Sequence, residues 1–178
     1  MPWYPFFQKI MDSDIFVTLS YCQFEKNNYQ NRFNMDDHWY TLSVHKGLDP
    51  IIEKEYITPY EDWKKIKKQL PEYDLSIFDE CISLNLSETN IKIIKKIAKL
   101  LDIKTKIVED YETNLTKEER LIDICKTYEA ITYLSGTTGQ KYMDLKKFEK
   151  NNIKVIFQNE KQKIKIPILK ILKDKNYV

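Results

Sequence analysis

At residue 60 the chain changes its hydrophobic period, and that change decides what it can fold into. Before it, apolar residues come in short β-branched and aromatic runs: I-F-V-T-L at 15–19, W-Y-T-L-S-V at 39–44, and part of 51–57. Each is too short for a helix and reads as a strand. After it, Y-E-D-W-K-K-I-K-K-Q-L at 60–70 puts Trp63, Ile66 and Leu70 on one face and lysines on the other, a helix that Pro71 stops. A second helix is expected over 75–84. A third opens at Ser87, with Ile91, Ile94, Ala98 and Leu101 as its apolar stripe.

The alternation then continues. Residues 104–108 form a strand, and Thr116-x-x-Glu119 is a capping-box pattern opening a helix with Leu121, Ile124, Cys125 and Tyr128 buried. Strands come next at 131–134 and 153–157 around a short helix at 144–150, and 168–172 closes the chain as a helix. Q-K-I-M-D near the start is a further short helix, with Pro5 in its first turn. The lysine–isoleucine alternation before Pro167 fits an edge strand guarded against pairing, with a membrane-surface role the alternative. The expected fold is mixed α/β: a single domain over 1–178, with a central sheet flanked by helices, a strand-rich first half and an alternating second half.

Charge narrows the classes of partner. The 29 Lys+Arg nearly cancel the 27 Asp+Glu, so the chain lacks the cationic surplus of a dedicated nucleic-acid binder. Lys92, Lys95, Lys96 and Lys99 share one helix face, either a basic groove or an ordinary solvated one. Cys22, Cys81 and Cys125 are far apart, and with His38 and His45 they make no zinc spacing. No metal or cofactor is expected, and the compartment reads as reducing. No stretch is long and apolar enough to span a bilayer and no leader pattern is visible, so the expected location is the cytoplasm.

Two polar stretches could carry chemistry. C-Q-F-E-K-N-N-Y-Q-N-R-F at 22–33 gathers Gln23, Lys26, Asn31 and Arg32 among aromatics, which suits an anionic or polar ligand. The same amides could instead tie strand ends together by bonding backbone groups. Y-L-S-G-T-T-G-Q-K-Y at 133–142 holds two of the chain's three glycines. A strand running through Ser135, Gly136 and Gly139 into a helix would aim backbone N–H groups at an anion, with Lys141 and Tyr142 adding a charge and a hydroxyl. The spacing is not that of a Walker loop, and no G-x-S-x-G surrounds Ser135. Asp36 and Asp37 read as turn residues. Cys22 with His38 or His45 would be a thiol dyad without a positioned partner. The catalytic residues are therefore unknown.

Together the stretches resemble the WbqC-like protein family. The resemblance rests on P-W-Y-P-F-F-Q-K-I-x-x-S-D at 2–14 and F-V-x-L-x-x-x-Q-F-x-K-x-x-x-Q-N-R at 16–32. It continues in W-Y-T-L-S-V at 39–44, the helix around Trp63, R-L-I-D-I-C-K at 120–126 and Y-L-S-G-x-x-G-x-x-Y at 133–142. It implies a small transferase moving a glycyl or other amino-acid-like group, in bacterial O-antigen and other surface-polysaccharide synthesis or in phage-encoded glycan or nucleotide modification. The partner would be a phosphorylated or nucleotide-activated small molecule. Lys26, Asn31 and Arg32 would face the Ser135–Tyr142 turn. Three departures stand out. The family's usual N-terminal strand ending in His-Gln-Pro has no counterpart, Ser20 and Tyr21 replace two aspartates, and Lys170 stands where an acidic residue is common. These open the alternative of a non-catalytic member that binds a nucleotide-sugar, a nucleotide or a protein.

Overall fold

The computed structural model describes residues 3–159 and 166–178, so the lysine–isoleucine alternation at 161–165 lies outside the described residues. The chain divides into two compact units, Met1–Glu109 with Ile164–Val178, and Asp110–Lys163.

The first unit begins with α1 (Tyr4–Met11), which carries Pro5 in its first turn and buries Phe7 and Ile10. Then comes β1 (Ile15–Thr18). β2 (Arg32–Met35) and β3 (His38–Thr41) form an antiparallel hairpin closed by Asp36 and Asp37. Both aspartates have left-handed φ, 48° and 64°, the pair of values that suits a two-residue turn between twisted strands. α2 (Pro59–Gln69) buries Trp63 and Ile66 and leaves Lys64, Lys65 and Lys68 on its outer side. α3 (Leu86–Leu100) buries a wider face than one stripe, with Leu86, Ile91, Ile93, Ile94, Ile97 and Ala98 all covered. β4 (Lys106–Glu109) lies parallel to β1, pairing Ile15 with Lys106 through Thr18 with Glu109.

In the second unit, α4 (Lys117–Thr127), β5 (Thr132–Ser135), α5 (Leu145–Glu149) and β6 (Lys154–Phe157) surround a small core of Ile122, Cys125, Phe148 and Ile153. β5 and β6 are parallel, and Tyr133 stacks on Phe148 with centroids 5.6 Å apart. The chain then returns to the first unit as α6 (Ile168–Asp174). There Ile168, Leu169 and Leu172 join the core that contains Phe7, Phe78 and Ile97.

The class is mixed α/β, but the strands do not build one central sheet. Among the described residues they form three two-stranded sheets: β1 with β4, β2 with β3, and β5 with β6. Residues 51–57 are a 3-10 turn, Ile51–Glu53, followed by isolated bridges of Tyr56 to Val44 and of Glu55 to Asn85. The expected helix at 75–84 is instead a 3-10 helix, Leu75–Cys81. Its buried residues Leu75, Phe78 and Cys81 recur every third position, which is the 3-10 period and not the α period. The capping box does not form either. Thr116 makes no side-chain cap, Lys117 takes a left-handed φ of 50°, and Glu119 pairs with Lys147 at 3.3 Å.

The lysine face of α3 is neutralised by neighbouring carboxylates: Lys92 by Glu88 at 2.6 Å, Lys95 by Glu109 at 3.3 Å and Lys96 by Glu80 at 2.7 Å. That is an ion-paired solvent face and not an open basic groove. The helix itself is set by Asn85. Its Oδ1 accepts from the Glu88 N–H at 2.9 Å and its Nδ2 donates to the Ile52 carbonyl at 2.7 Å. Asn85→Ala removes a cap and an inter-segment bond, and is expected to lower stability by about 1–2 kcal/mol in urea unfolding.

Candidate functional site

The hairpin register builds the first candidate site. Arg32 lies opposite Thr41, which makes Trp39 its diagonal neighbour on the same face of the ribbon. The guanidinium sits 4.0 Å from the centre of the Trp39 ring, within cation–π range. Its Nη2 donates to the carbonyl of Asn27, a residue turned left-handed at φ 61°. Its Nε is buried and has no hydrogen-bond partner among the described residues, and Arg32 makes no ion pair among them. The chain's other arginine, Arg120, is paired with the carboxylate of Asp110. An extended array of aromatics adjoins Arg32. Tyr29 packs against Trp39 at 5.2 Å and edge-on against Trp3 at 5.6 Å.

Most of the amide cluster works within the fold. Asn31 clamps the end of the hairpin: its Nδ2 donates to the Leu42 carbonyl at 2.9 Å, while the Leu42 N–H donates to the Asn31 carbonyl at 2.9 Å. Gln30 Oε1 accepts from the Glu25 N–H at 2.8 Å, and Asn28 Oδ1 from the Tyr29 N–H at 2.6 Å. Gln23 is exposed and bridges to Pro50 through backbone, and Lys26 is exposed as well. The crevice between Arg32, Asn31 and α3 has a volume of about 20 Å³, room for roughly one water. A ligand at Arg32 must therefore lie on the surface of the hairpin.

Sequence reasoning missed two residues here. Trp39 was legible only as part of a strand. Recognising Asp36-Asp37 as a two-residue turn would have put it diagonally across from Arg32. Lys54 is 1 % exposed, with Nζ held by Asp49 Oδ2 at 2.8 Å and by the Gly47 carbonyl at 3.1 Å, and 5.3 Å from the centre of the buried Phe24 ring. Its neighbours Glu53 and Glu55 make it look like part of a solvated charge run. The Lys54 hydrogen bond holds the Asp49 carboxyl below its ordinary range.

Residues 133–142 belong to the second unit, so this turn and the Arg32 cluster fall in separate units. β5 ends at Ser135, whose buried hydroxyl donates to the Gly136 carbonyl at 3.2 Å. The next element is a 3-10 helix of five residues, Thr137–Lys141, and not an α-helix. The N–H groups of Gly139, Tyr142 and Met143 are bonded to Gly136 and Gly139 carbonyls inside the turn. Tyr142 projects into solvent, 74 % exposed. Gly139 has a packing reason: a Cβ there would lie 2.3 Å from Ser135 Oγ. Gly136 has none, with nothing within 4 Å of a Cβ at that position. This unit also carries an open cleft of about 370 Å³ beside α4 and α5, floored by Leu115 and Ile122 and rimmed by Lys126, Lys147 and Lys150. No sequence motif marks it.

Burial holds back three ionisable groups, two thiols and a phenol. It pushes the Cys81 and Cys125 thiols up, and the Tyr133 hydroxyl up to about 12, so all three stay protonated near neutrality. His38 is in edge contact with Tyr40 at 4.7 Å, in the hairpin. Among the described residues no three His, Cys, Asp or Glu side chains gather as a metal site, and no helix is long and apolar enough to cross a membrane.

The fold and site thus define a mixed α/β protein with an arginine–aromatic surface on its β2–β3 hairpin. The chain belongs to the WbqC-like protein family, which matches it over residues 1–168. It is similar to the curated "Uncharacterized protein Rv1507c" of Mycobacterium tuberculosis (strain ATCC 25618 / H37Rv). The two are 27% identical over 176 residues, covering 87% of this chain and 76% of the relative. No solved structure matches.

Proposed function

We propose that this chain binds a phosphorylated or nucleotide-activated small molecule on the β2–β3 hairpin, as a non-catalytic member of its family. Arg32 carries the reading. Its guanidinium is fixed over Trp39, and among the described residues it has neither an acceptor for its buried Nε nor a carboxylate to neutralise it. A preorganised, unpaired guanidinium is matched by the paired oxygens of a phosphate or carboxylate. Lys26, exposed nearby in sequence, adds a solvated positive charge. Moving a glycyl or other amino-acid-like group would also need a base or nucleophile within hydrogen-bond reach. The contacts of the Arg32 guanidinium are instead the Trp39 ring and the Asn27 carbonyl. Ser135, Gly136, Gly139 and Tyr142 have no part in this reading.

The test is the thermal midpoint of wild type and Arg32→Ala against sugar nucleotides, nucleoside di- and triphosphates, pyrophosphate and glycine. A ligand at 100 times its dissociation constant stabilises by about 2.7 kcal/mol, a shift of several degrees in a chain of this size. The expected result is a shift with phosphorylated ligands that disappears in Arg32→Ala. If no ligand shifts wild type, the binding reading fails. A transferred group detected by mass spectrometry in the same mixtures would overturn the non-catalytic part.

A further inference from the structure

We propose that the cleft beside α4 and α5 binds a small amphiphilic carboxylate, an apolar body ending in one anionic head. This site lies in the second unit and does not rest on the reading of Arg32.

Helical spacing builds one wall of it. Glu119, Ile122, Asp123 and Lys126 stand at i, i+3, i+4 and i+7 and so share one face of α4, while Lys147 and Lys150 line the cleft from α5 and its C-terminal end. The floor is apolar and firm. Ile122 is 7 % exposed and belongs to the core of the unit, so it keeps its place when a ligand arrives. Leu115, 38 % exposed, adds an open apolar surface beside it. At about 30 Å³ for each water-sized group, the volume of about 370 Å³ holds roughly a dozen non-hydrogen atoms. That is the size of a short-chain or aryl carboxylic acid.

Charge selects the head group. The carboxylates in the wall already have partners: Glu119 pairs with Lys147 at 3.3 Å, and Asp123 Oδ2 accepts from the Tyr111 hydroxyl at 2.6 Å. Lys126 and Lys150 are exposed and make no ion pair among the described residues. The uncommitted charge of the cleft is therefore positive, and it rims an apolar floor. Lys126 lies in the last turn of α4 and Lys150 caps α5, positions where a cation also complements the helix dipole. That accounts for the charges, but not for the exposed leucine or the cavity between them. A ligand that answers both halves is amphiphilic and anionic. A carboxylate fits better than a phosphate. No arginine fork lines the cleft, and Glu119 and Asp123 remain in its wall to repel a doubly charged group. A lysine is a point charge suited to one negative charge, and its methylene stem can cover an apolar chain.

The test follows backbone amide NMR shifts of the intact chain titrated with octanoate, acetate and octylammonium. Octanoate is expected to saturate shifts at 115–126 and 147–151 with a dissociation constant of about 1 mM or below. Acetate has the head without the body, and octylammonium has the body with the opposite charge. Each should bind at least about tenfold more weakly. Leu115→Ser removes the open apolar surface, and Lys126→Ala combined with Lys150→Ala removes the rim charge. Each variant should weaken octanoate about fivefold. All three side chains are exposed, so the variants should keep the folded spectrum. Pyrophosphate, a probe of the Arg32 surface, should leave the octanoate shifts unchanged, so the two sites stand or fall separately. Octylammonium binding as well as octanoate, shifts that do not saturate or that map outside the cleft, unaltered octanoate affinity in both variants, or competition by pyrophosphate would each overturn the proposal.

Discussion

Arg120→Ala is expected to destabilise the chain by about 3–5 kcal/mol, the penalty for leaving one member of a buried ion pair without the other. Arg120 is 8 % exposed on α4, and the side chain of Asp110 is fully buried. The guanidinium also donates to the Tyr111 carbonyl at 3.2 Å, so it fixes the entry of the chain into the second unit as well as neutralising a carboxylate. Truncation removes the charge, that backbone bond and a packed side chain at once. Urea unfolding gives the magnitude. Hydrogen exchange at the β5 and β6 amides locates it, since these strands lie in the unit that holds the pair. A useful control is Lys104→Ala, which breaks the pair to Asp102 between two side chains that are 82 % and 81 % exposed. That change should be unmeasurable. A loss below about 1 kcal/mol for Arg120→Ala would mean that Asp110 is served adequately by other donors.

The second large effect separates two glycines that the sequence presents as one motif. Gly139→Ala places a Cβ 2.3 Å from Ser135 Oγ, 3.3 Å from a Phe157 ring carbon and 3.4 Å from the Met143 methyl. Ser135 and Gly139 are both buried, so the hydroxyl cannot simply turn out to water. Overpacking of this kind is destabilising by about 1–3 kcal/mol. Gly136→Ala meets nothing within 4 Å, and its backbone, φ −67° and ψ 159°, is open to any residue. It should leave the thermal midpoint within about a degree of wild type or slightly above it, because alanine also restricts the unfolded chain. The contrast bears on function. A Gly136→Ala protein of unchanged stability that lost binding of a phosphorylated ligand would restore the 135–142 turn as a site.

Helices with a strong apolar period were legible in the sequence. α2 and α3 follow from Trp63, Ile66, Ile91, Ile94 and Ala98, and α1, α5 and α6 fall where local signals put them. β1 was legible because four β-branched or aromatic residues in a row favour little else. The pairing of strands was not. Nothing local to Ile15–Thr18 says that its partner is Lys106–Glu109, and strands of four residues carry too little pattern to specify a shared sheet. β2 was invisible because R-F-N-M offers only Phe33 and Met35 as alternating apolar residues. At the candidate site the cationic residue was legible and its setting was not. Arg32 stood out by chemistry, while the duties of Asn28, Gln30 and Asn31 toward backbone groups depend on where residues such as Leu42 arrive in space.

The return of α6 to the first unit has a consequence for how the protein is made. Its docking is anchored by the bridge of Trp3 to Pro167 and by the Tyr4 N–H bonded to the Ile166 carbonyl at 3.1 Å, joining the two ends of the described chain. Emerging from a ribosome, the first unit cannot close until Ile168–Asp174 has been released. The second unit is one contiguous span, so its own core does not wait on α6. The larger unit, with Arg32 and its rings, thus matures only after the span of the second unit has been made. A nascent chain halted before Ile168 would carry the core faces of Phe7 and Ile97 without Leu169 and Leu172 to complete their cluster, and would depend on chaperones for as long as it waited.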